Sequence, residues 1–196
     1  MNSEYDYTIK LFIVGNTAVG KTNFMNKFVD DQFQQNHVAT VGIDFKTKYV
    51  EFDGKKMKVQ LWSTAGKEKY KSISKNIMLR SQGLLALYDI TNEKTYLDLK
   101  QWIQLTKEKY SSYIPIMIIG NKNDLESERV VDKETAISYA EEENAEYIET
   151  SCKTGDNILK SIVLITRKII DFFELNKSYS FTLSTRKYKN KERSCC

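Results

Sequence analysis

Residues 8–22 read TIKLFIVGNTAVGKT, and this stretch is the strongest indication of the fold. Thr8–Val14 is a short apolar run rich in β-formers, which predicts a strand. The eight residues Gly15-Asn16-Thr17-Ala18-Val19-Gly20-Lys21-Thr22 then match GxxxxGK[ST], and a helical stretch follows to about Asp30. In that setting the loop N–H groups cradle phosphates, Lys21 reaches the β- and γ-phosphates, and the Thr22 hydroxyl ligates Mg²⁺. The loop alone predicts a nucleoside triphosphate and leaves the base open.

The remaining pattern alternates strands and helices. Two alternating runs, Phe45–Phe52 and Lys56–Trp62, flank Asp53-Gly54, a strong two-residue hairpin signal. Continuous apolar runs are typical of strands buried on both faces, and two occur here, at Leu84–Asp89 and Ile114–Gly120. Further stretches indicate one short strand, Tyr147–Ile148, and three helices, Lys94–Tyr110, Asp132–Glu142 and Asn157–Leu175. The order predicts an α/β fold: a mostly parallel six-stranded sheet with one antiparallel hairpin strand and helices on both faces.

Composition predicts one domain and a tail. The 196 residues are 41% hydrophobic and 29% charged, as expected of a globular chain, and no apolar run approaches the length of a membrane span. After Asn176 the periodicity is lost, so we expect a domain over residues 1–176 and a flexible tail over 177–196. The tail carries six basic residues and one acidic residue, whereas the body is close to neutral. This favours a local partner for the tail and argues against a nucleic-acid face.

Two later motifs indicate the base. Asn121-Lys122-Asn123-Asp124 follows a buried strand, at the strand end where open α/β sheets bind ligands. A carboxylate at Asp124 can accept from the N1–H and the exocyclic amine of guanine, and adenine presents no such pair of donors. Thr150-Ser151-Cys152-Lys153 completes the ring around the base, with the Cys152 N–H available to guanine O6. For the Cys152 thiol, a small, partly buried residue is favoured over a reactive one. The three cysteines form no disulfide framework, which indicates a reducing compartment.

Taken together, the motifs resemble those of Rab-family small GTPases of the Ras superfamily, over essentially the whole chain. Thr40–Phe45, Leu61–Tyr70 and Leu87–Thr91 also fall at family spacing. The Rab branch is indicated by VGIDF after Thr40, by KEKYKSI after Gly66 and by the final pair of cysteines. The resemblance implies a Ras-like G domain of the P-loop NTPase class. It also implies a monomeric switch in vesicle traffic that binds GTP and GDP with Mg²⁺.

The resemblance assigns roles to single residues. Thr40 would coordinate Mg²⁺ and sense the γ-phosphate, Gly66 would donate its N–H to that phosphate, and Phe33 would pack edge-on against guanine. His37 stands where the family often has a Tyr over the phosphates, and it is interpreted as an exposed loop residue. The nucleotide-binding set predicted in this way is Gly15, Asn16, Thr17, Ala18, Val19, Gly20, Lys21, Thr22, Phe33, Thr40, Gly66, Asn121, Lys122, Asp124, Ser151, Cys152 and Lys153.

Two residues depart from the family pattern. The family usually has Asp at Ser63, so a neutral hydroxyl there predicts weaker outer-sphere support of Mg²⁺ and faster nucleotide exchange. It usually has Gln at Lys67. An ammonium has three donors and no acceptor, so it cannot orient the attacking water, which predicts slow intrinsic GTP hydrolysis. The added bulk of Thr17 beside the γ-phosphate also predicts slow intrinsic hydrolysis. Two other interpretations of Ser63 and Lys67 remain open. They are neutral drift in a protein whose nucleotide state is controlled by its partners, or a scaffold that binds nucleotide without turnover. A P-loop kinase or a metabolic ATPase conflicts with Asp124.

The resemblance also implies partners. An aromatic effector triad would comprise Phe45, Trp62 and, in place of the common Tyr, Ile77. Cys195-Cys196 resembles a double geranylgeranylation signal, and two lipids give stable anchoring where one gives marginal binding. Implied partners are effector proteins, an exchange factor, a GTPase-activating protein, a GDP-dissociation inhibitor and an escort protein. The implied location is the cytosolic face of an endomembrane, in exchange with the cytosol.

Overall fold

The structure is a computed structural model, and its six strands form one sheet. Residues 5–35, 42–64, 80–109 and 113–175 are described. The strands are β1 (Tyr7–Val14), β2 (Ile43–Phe52), β3 (Lys55–Thr64), β4 (Gly83–Asp89), β5 (Ile116–Asn121) and β6 (Glu146–Thr150). Their order in the sheet is β2-β3-β1-β4-β5-β6, and every neighbouring pair is parallel except β2–β3. The predicted sheet is confirmed.

Helices cover both faces of this sheet, as the sequence predicts. They are α1 (Lys21–Asp30), α2 (Glu93–Lys109), α3 (Lys133–Glu142) and α4 (Ile158–Leu175), with a 3-10 segment over Asn123–Glu128. One core cluster includes Phe24 of α1 and Ile162 of α4, and the other includes Leu99 of α2 and Ala136 of α3. Within the described ranges, no helix combines the length and apolar character needed to cross a membrane.

Local chemistry explains where two elements begin and turn. Asp53 and Gly54 both have positive φ, 52° and 69°, which is the geometry of a type I′ hairpin turn between β2 and β3. β5 begins at Ile116 and not at the predicted Ile114, since Pro115 has no N–H for the ladder. The carbonyl of Pro115 still accepts from Leu84 N at 2.9 Å. The predicted domain boundary at 176 stays a prediction because residues 176–196 lie outside the described ranges.

The parallel strands gather four loops at one edge of the sheet. β1, β4, β5 and β6 are consecutive in the sheet order and parallel, so their carboxyl ends lie at the same edge. The loops that leave them are those after Val14, Asp89, Asn121 and Thr150. Motifs that lie up to about 130 residues apart in sequence therefore meet at this edge.

Candidate functional site

Two glycines allow the loop after β1 to pack closely against its neighbours. Gly15 has φ 140°, and a Cβ there would lie 2.2 Å from the carbonyl oxygen of Leu87. Gly20 has φ 102°, and its Cβ would lie 2.4 Å from Nδ2 of Asn121. Neither position admits a side chain, because the backbone sits in the left-handed region with no space beside it. The result is a tight loop that ends on the N-terminus of α1, a fold suited to phosphates.

Lys21 is a buried cation held inside this loop. Its Nζ donates to the carbonyl oxygens of Gly15 and Asn16, each at 2.7 Å, and the residue is only 7% exposed. Burial lowers the pKa of Lys21 to about 8. A phosphate beside this ammonium would supply the negative charge that offsets the cost of burial. The environment of Lys21 therefore fits a phosphate ligand.

Asn121 joins the phosphate loop to the two base motifs. Its Nδ2 donates to the carbonyl oxygen of Val19 at 2.8 Å. Its Oδ1 accepts from Oγ1 of Thr150 at 3.1 Å and from Sγ of Cys152 at 3.3 Å. One buried amide thus links the loops after β1, β5 and β6. An amide with these three bonds orients all three loops relative to one another.

The base motifs are also tied to each other. Oγ of Ser151 donates to Oδ1 of Asp124 at 2.6 Å, and the same oxygen accepts from the N–H of Lys153 at 3.1 Å. Lys122 adopts φ 71° and forms an ion pair with Asp89 at the end of β4. The Asp124 carboxylate is therefore held in one orientation, as selection of a base by paired hydrogen bonds requires.

Cys152 is buried in this junction and chemically quiet. The residue is 3% exposed, and its thiol packs near Gly20 and Asn121. Burial raises the pKa of the Cys152 thiol to about 12. A thiol that stays neutral at physiological pH is a poor nucleophile. This agrees with the interpretation of Cys152 as a packed residue and not a reactive one.

The described members of the predicted magnesium set contribute hydroxyls. Thr22 is the second residue of α1, and Ser63, 1% exposed, lies near the end of β3. Ser63 is directly opposite Asp44 of β2 in the antiparallel register. No cluster of three or more His, Cys, Asp or Glu occurs in the part of the chain that the structure describes. A Thr hydroxyl with phosphate oxygens and waters suits Mg²⁺, so the residues present fit that ion.

Several predicted site residues lie outside the described ranges. These are His37, Thr40, Gly66, Lys67, Ile77, Cys195 and Cys196. Phe33 is described, and it is 39% exposed just beyond the end of α1. The structure therefore brings together the phosphate loop and the base motifs. The roles of Thr40 and Gly66 as γ-phosphate sensors, the role of Lys67 and the lipid sites stay predictions.

The first two members of the predicted effector triad meet on the outer face of the hairpin. Phe45 and Trp62 are cross-strand partners, and their ring centroids are 4.2 Å apart with a tilt of 38°. Phe45 is 43% exposed. Trp62 is partly buried and packs against the core, so it supports the exposed ring of Phe45, which has the character of a binding anchor.

Sequence reasoning missed two groups that support the site. Asp89 forms an ion pair with Lys122 and accepts hydrogen bonds from the N–H and the hydroxyl of Thr91. It belongs to the motif Leu87–Thr91, for which the sequence predicts family spacing but no role. Asp98 and Trp102 of α2 contact the side chain of Asn16, and no sequence signal marks them. Asn16 was predicted to bind nucleotide, but its side chain is directed to α2.

Comparison with known proteins agrees with the fold and indicates the family. A model of the Ras family matches residues 10–171. The chain is similar to Ras-related protein RABD2b of Arabidopsis thaliana, with 37% identity over 169 residues that cover 86% of this chain and 84% of the relative. It is also similar to Ras-related protein Rab-8 of Diplobatis ommata, with 39% identity over 177 residues that cover 90% of this chain and 83% of the relative.

Proposed function

Because this chain belongs to the Rab family of small GTPases, we propose that it binds GTP and GDP with Mg²⁺, hydrolyses GTP slowly unaided and recruits effectors to a membrane while GTP is bound. The family implies a GTP-dependent switch in membrane traffic. The observation that supports nucleotide binding is the Asn121 junction, in which one amide contacts the phosphate loop and both base motifs. A surface turn with these motifs has no need of such a junction.

Each part of the site has a task in this proposal. Lys21 exchanges its loop carbonyls for the phosphates of the nucleotide, and Asp124 accepts from the guanine edge while Ser151 holds it. Thr22 and Thr40 would hold Mg²⁺, with Ser63 in outer-sphere support, and the ion would supply positive charge to the phosphate oxygens. Thr40 and Gly66 hold their loops only while a γ-phosphate is present, so hydrolysis releases both loops.

Slow hydrolysis follows from the residue at position 67. An attacking water must be held by an acceptor and a donor, and the Lys67 ammonium offers donors alone. Lys67 can still pair with the γ-phosphate, which favours the GTP-bound state. The sensing N–H of Gly66 belongs to the backbone, so the substitution at 67 leaves it in place. The protein reads the γ-phosphate but removes it slowly.

Substitution of Lys67 tests this proposal. We expect Lys67→Gln to raise the single-turnover rate of GTP hydrolysis by about tenfold or more, because Gln supplies the missing acceptor. Lys67→Ala is the matched control: it removes the ammonium without adding an acceptor and should leave the rate low. Equal rates for the wild type and Lys67→Gln would contradict the proposed defect. A purified protein that carries no guanine nucleotide would contradict the proposal as a whole.

A second candidate, a nucleotide-binding scaffold without turnover, is supported by Ser63 and Lys67. The two functions differ in their response to a GTPase-activating protein. The family resemblance implies that Rab-directed activating proteins insert an Arg and a Gln of their own, which bypasses Lys67. Turnover that appears with such a protein supports the switch, and its absence at saturating activator supports the scaffold.

Membrane attachment and effector binding complete the proposal. Geranylgeranyl groups on Cys195 and Cys196 anchor the protein to the cytosolic face of an endomembrane, and the basic tail adds attraction to anionic lipid. A GDP-dissociation inhibitor and an escort protein handle the lipidated form, and an exchange factor and an activating protein set the nucleotide state. The effector face comprises Phe45, Trp62 and Ile77, of which the first two are in ring contact and Phe45 is exposed.

A further inference from the structure

The side chain of Asn16 in the phosphate loop is held from both ends by α2. Its Nδ2 donates to Oδ2 of Asp98 at 2.6 Å. Its Oδ1 accepts from Nε1 of Trp102 at 3.3 Å. Asp98 and Trp102 are four residues apart on α2, so they lie on the same face of that helix. The loop is therefore tied to two residues of α2 that lie 82 and 86 positions away in sequence.

The chemistry of these two partners leaves the Asn16 amide one orientation. An indole N–H donates and cannot accept, and an ionised carboxylate accepts and cannot donate. The amide oxygen must therefore face Trp102 and the amide nitrogen must face Asp98. All three side chains are partly buried, and the bond to Asp98 is charge-assisted, which makes it stronger than a neutral one.

This orientation bears on the cation that meets the phosphates. The carbonyl oxygen of Asn16 accepts from Nζ of Lys21 at 2.7 Å. A shift of Asn16 would move one of the two loop carbonyls that hold the ammonium. Near the other end of the loop, Val19 is held by Asn121. The phosphate loop thus has two lateral anchors, one on the base motifs and one on α2.

We propose that Asp98 and Trp102 are positioning residues for nucleotide retention, which they control by holding Asn16 and, through it, the first half of the phosphate loop. The inference rests on the proposed function, since it requires that this loop bind the phosphates of GDP. Neither residue touches the nucleotide. Their effect is on the dissociation rate, because a loop that is not held at Asn16 opens more readily around its ligand.

An exchange of the two side chains tests this inference in the full-length protein. Asn16→Asp sets a carboxylate against Asp98, so the tie is replaced by repulsion, and we expect labelled GDP to dissociate about tenfold faster at saturating Mg²⁺. Asp98→Asn keeps an acceptor for Asn16 but loses the charge, and we expect a rise of about threefold. The double variant Asn16→Asp/Asp98→Asn restores the hydrogen bond between residues 16 and 98 with its direction reversed, and residue 16 still accepts from Trp102. We expect its rate to return to within about threefold of the wild type.

Thermal unfolding of the GDP-bound forms separates positioning from simple packing. Asp171→Asn on α4 is the control for an exposed Asp-to-Asn change, and it should alter neither the melting temperature nor the rate of GDP dissociation. A fall in melting temperature without faster release, or a double variant as fast as Asn16→Asp, overturns the inference. If Asn16→Asp does not fold, Asp98→Ala decides: release within twofold of the wild type overturns it, and clearly faster release supports it. A wild type that retains no labelled GDP contradicts the proposed function itself.

Discussion

Ser63 lies directly opposite Asp44 in the antiparallel pair of β2 and β3, so their side chains share one face of the sheet. Side chains in such a pair have Cβ atoms about 5 Å apart. Ser63 is buried, and Asp44 is partly buried. A Ser at this position adds no negative charge beside Asp44, whereas an Asp would place two carboxylates side by side. Ser63 in place of Asp therefore has two effects. It lowers the negative charge that a cation would neutralise, and it weakens the hydrogen bonding available to a metal-bound water.

The Ser63→Asp variant should therefore respond strongly to Mg²⁺. With saturating Mg²⁺ we expect GDP release to slow by about tenfold, since a carboxylate supports a metal-bound water better than a hydroxyl does. With a chelator present, the variant should melt below the wild type, because two carboxylates then face each other without a counter-ion. Ser63→Asn, which adds size without charge, is the control. Unchanged release of GDP in Mg²⁺ would end this interpretation.

At the scale of elements, Arg129 fastens the end of the 3-10 segment to β6. Its guanidinium bonds both carboxylate oxygens of Glu149, at 2.9 and 3.0 Å, and also bonds Glu126. Hydrogen bonds with Glu126 and Glu149 raise the pKa of Arg129, so it stays charged. Burial raises the pKa of Tyr147, whose hydroxyl donates to Glu149 at 2.8 Å. The segments that carry Asp124 and Ser151 are connected through this bidentate pair.

Loss of Arg129 should cost stability beyond that of a surface ion pair. The side chains of Arg129 and Glu149 are 16% and 10% exposed, so Arg129→Met leaves a largely buried carboxylate without its cation. We expect the free energy of unfolding of the GDP-bound protein to fall by about 2–3 kcal/mol in urea titrations. Arg129→Met/Glu149→Gln should recover part of this loss, because the orphaned charge is gone. A loss under about 0.5 kcal/mol would mean that the pair is no stronger than an exposed one.

In the molecule as a whole, the described parts of the candidate nucleotide site lie on loops at one edge of the sheet. The phosphate loop, the Asn121 junction and the base motifs all lie between β1 and the start of α4. The tail over residues 177–196 lies outside the described ranges, and from its sequence it is predicted to serve attachment.

Deletion of residues 177–196 tests this division. We expect the GDP dissociation rate and the melting temperature to stay within about twofold and about 2 °C of the full chain. After incubation with a prenylating enzyme, the full chain should sediment with anionic vesicles and the deleted chain should not. The variant Cys195→Ser/Cys196→Ser keeps the basic residues and should also stay unbound. Faster nucleotide release from the deleted chain would show that the tail contributes to the domain.

Local patterns were enough to predict the elements and the chemistry of the ligand. A strand followed by GNTAVGKT, the Asp53-Gly54 turn and the apolar run Leu84–Asp89 each depend on neighbours within about ten residues, so the sequence predicts them directly. The ends of elements shifted by one or two residues, because hydrogen-bond partners across the sheet decide where a ladder begins. β5 starts after Pro115 for this reason.

The order of strands and helices, the phosphate loop and the preference for guanine could thus be predicted from the sequence without the structure. Only the tertiary structure decided that Asn16 turns to Asp98 and Trp102, that Ser63 faces Asp44, and that Arg129 joins Glu149. The physical reason is the same in each case. A side chain's hydrogen-bond partner is set by the packing of elements distant in sequence, and no periodicity or motif within one element records which neighbour it will meet.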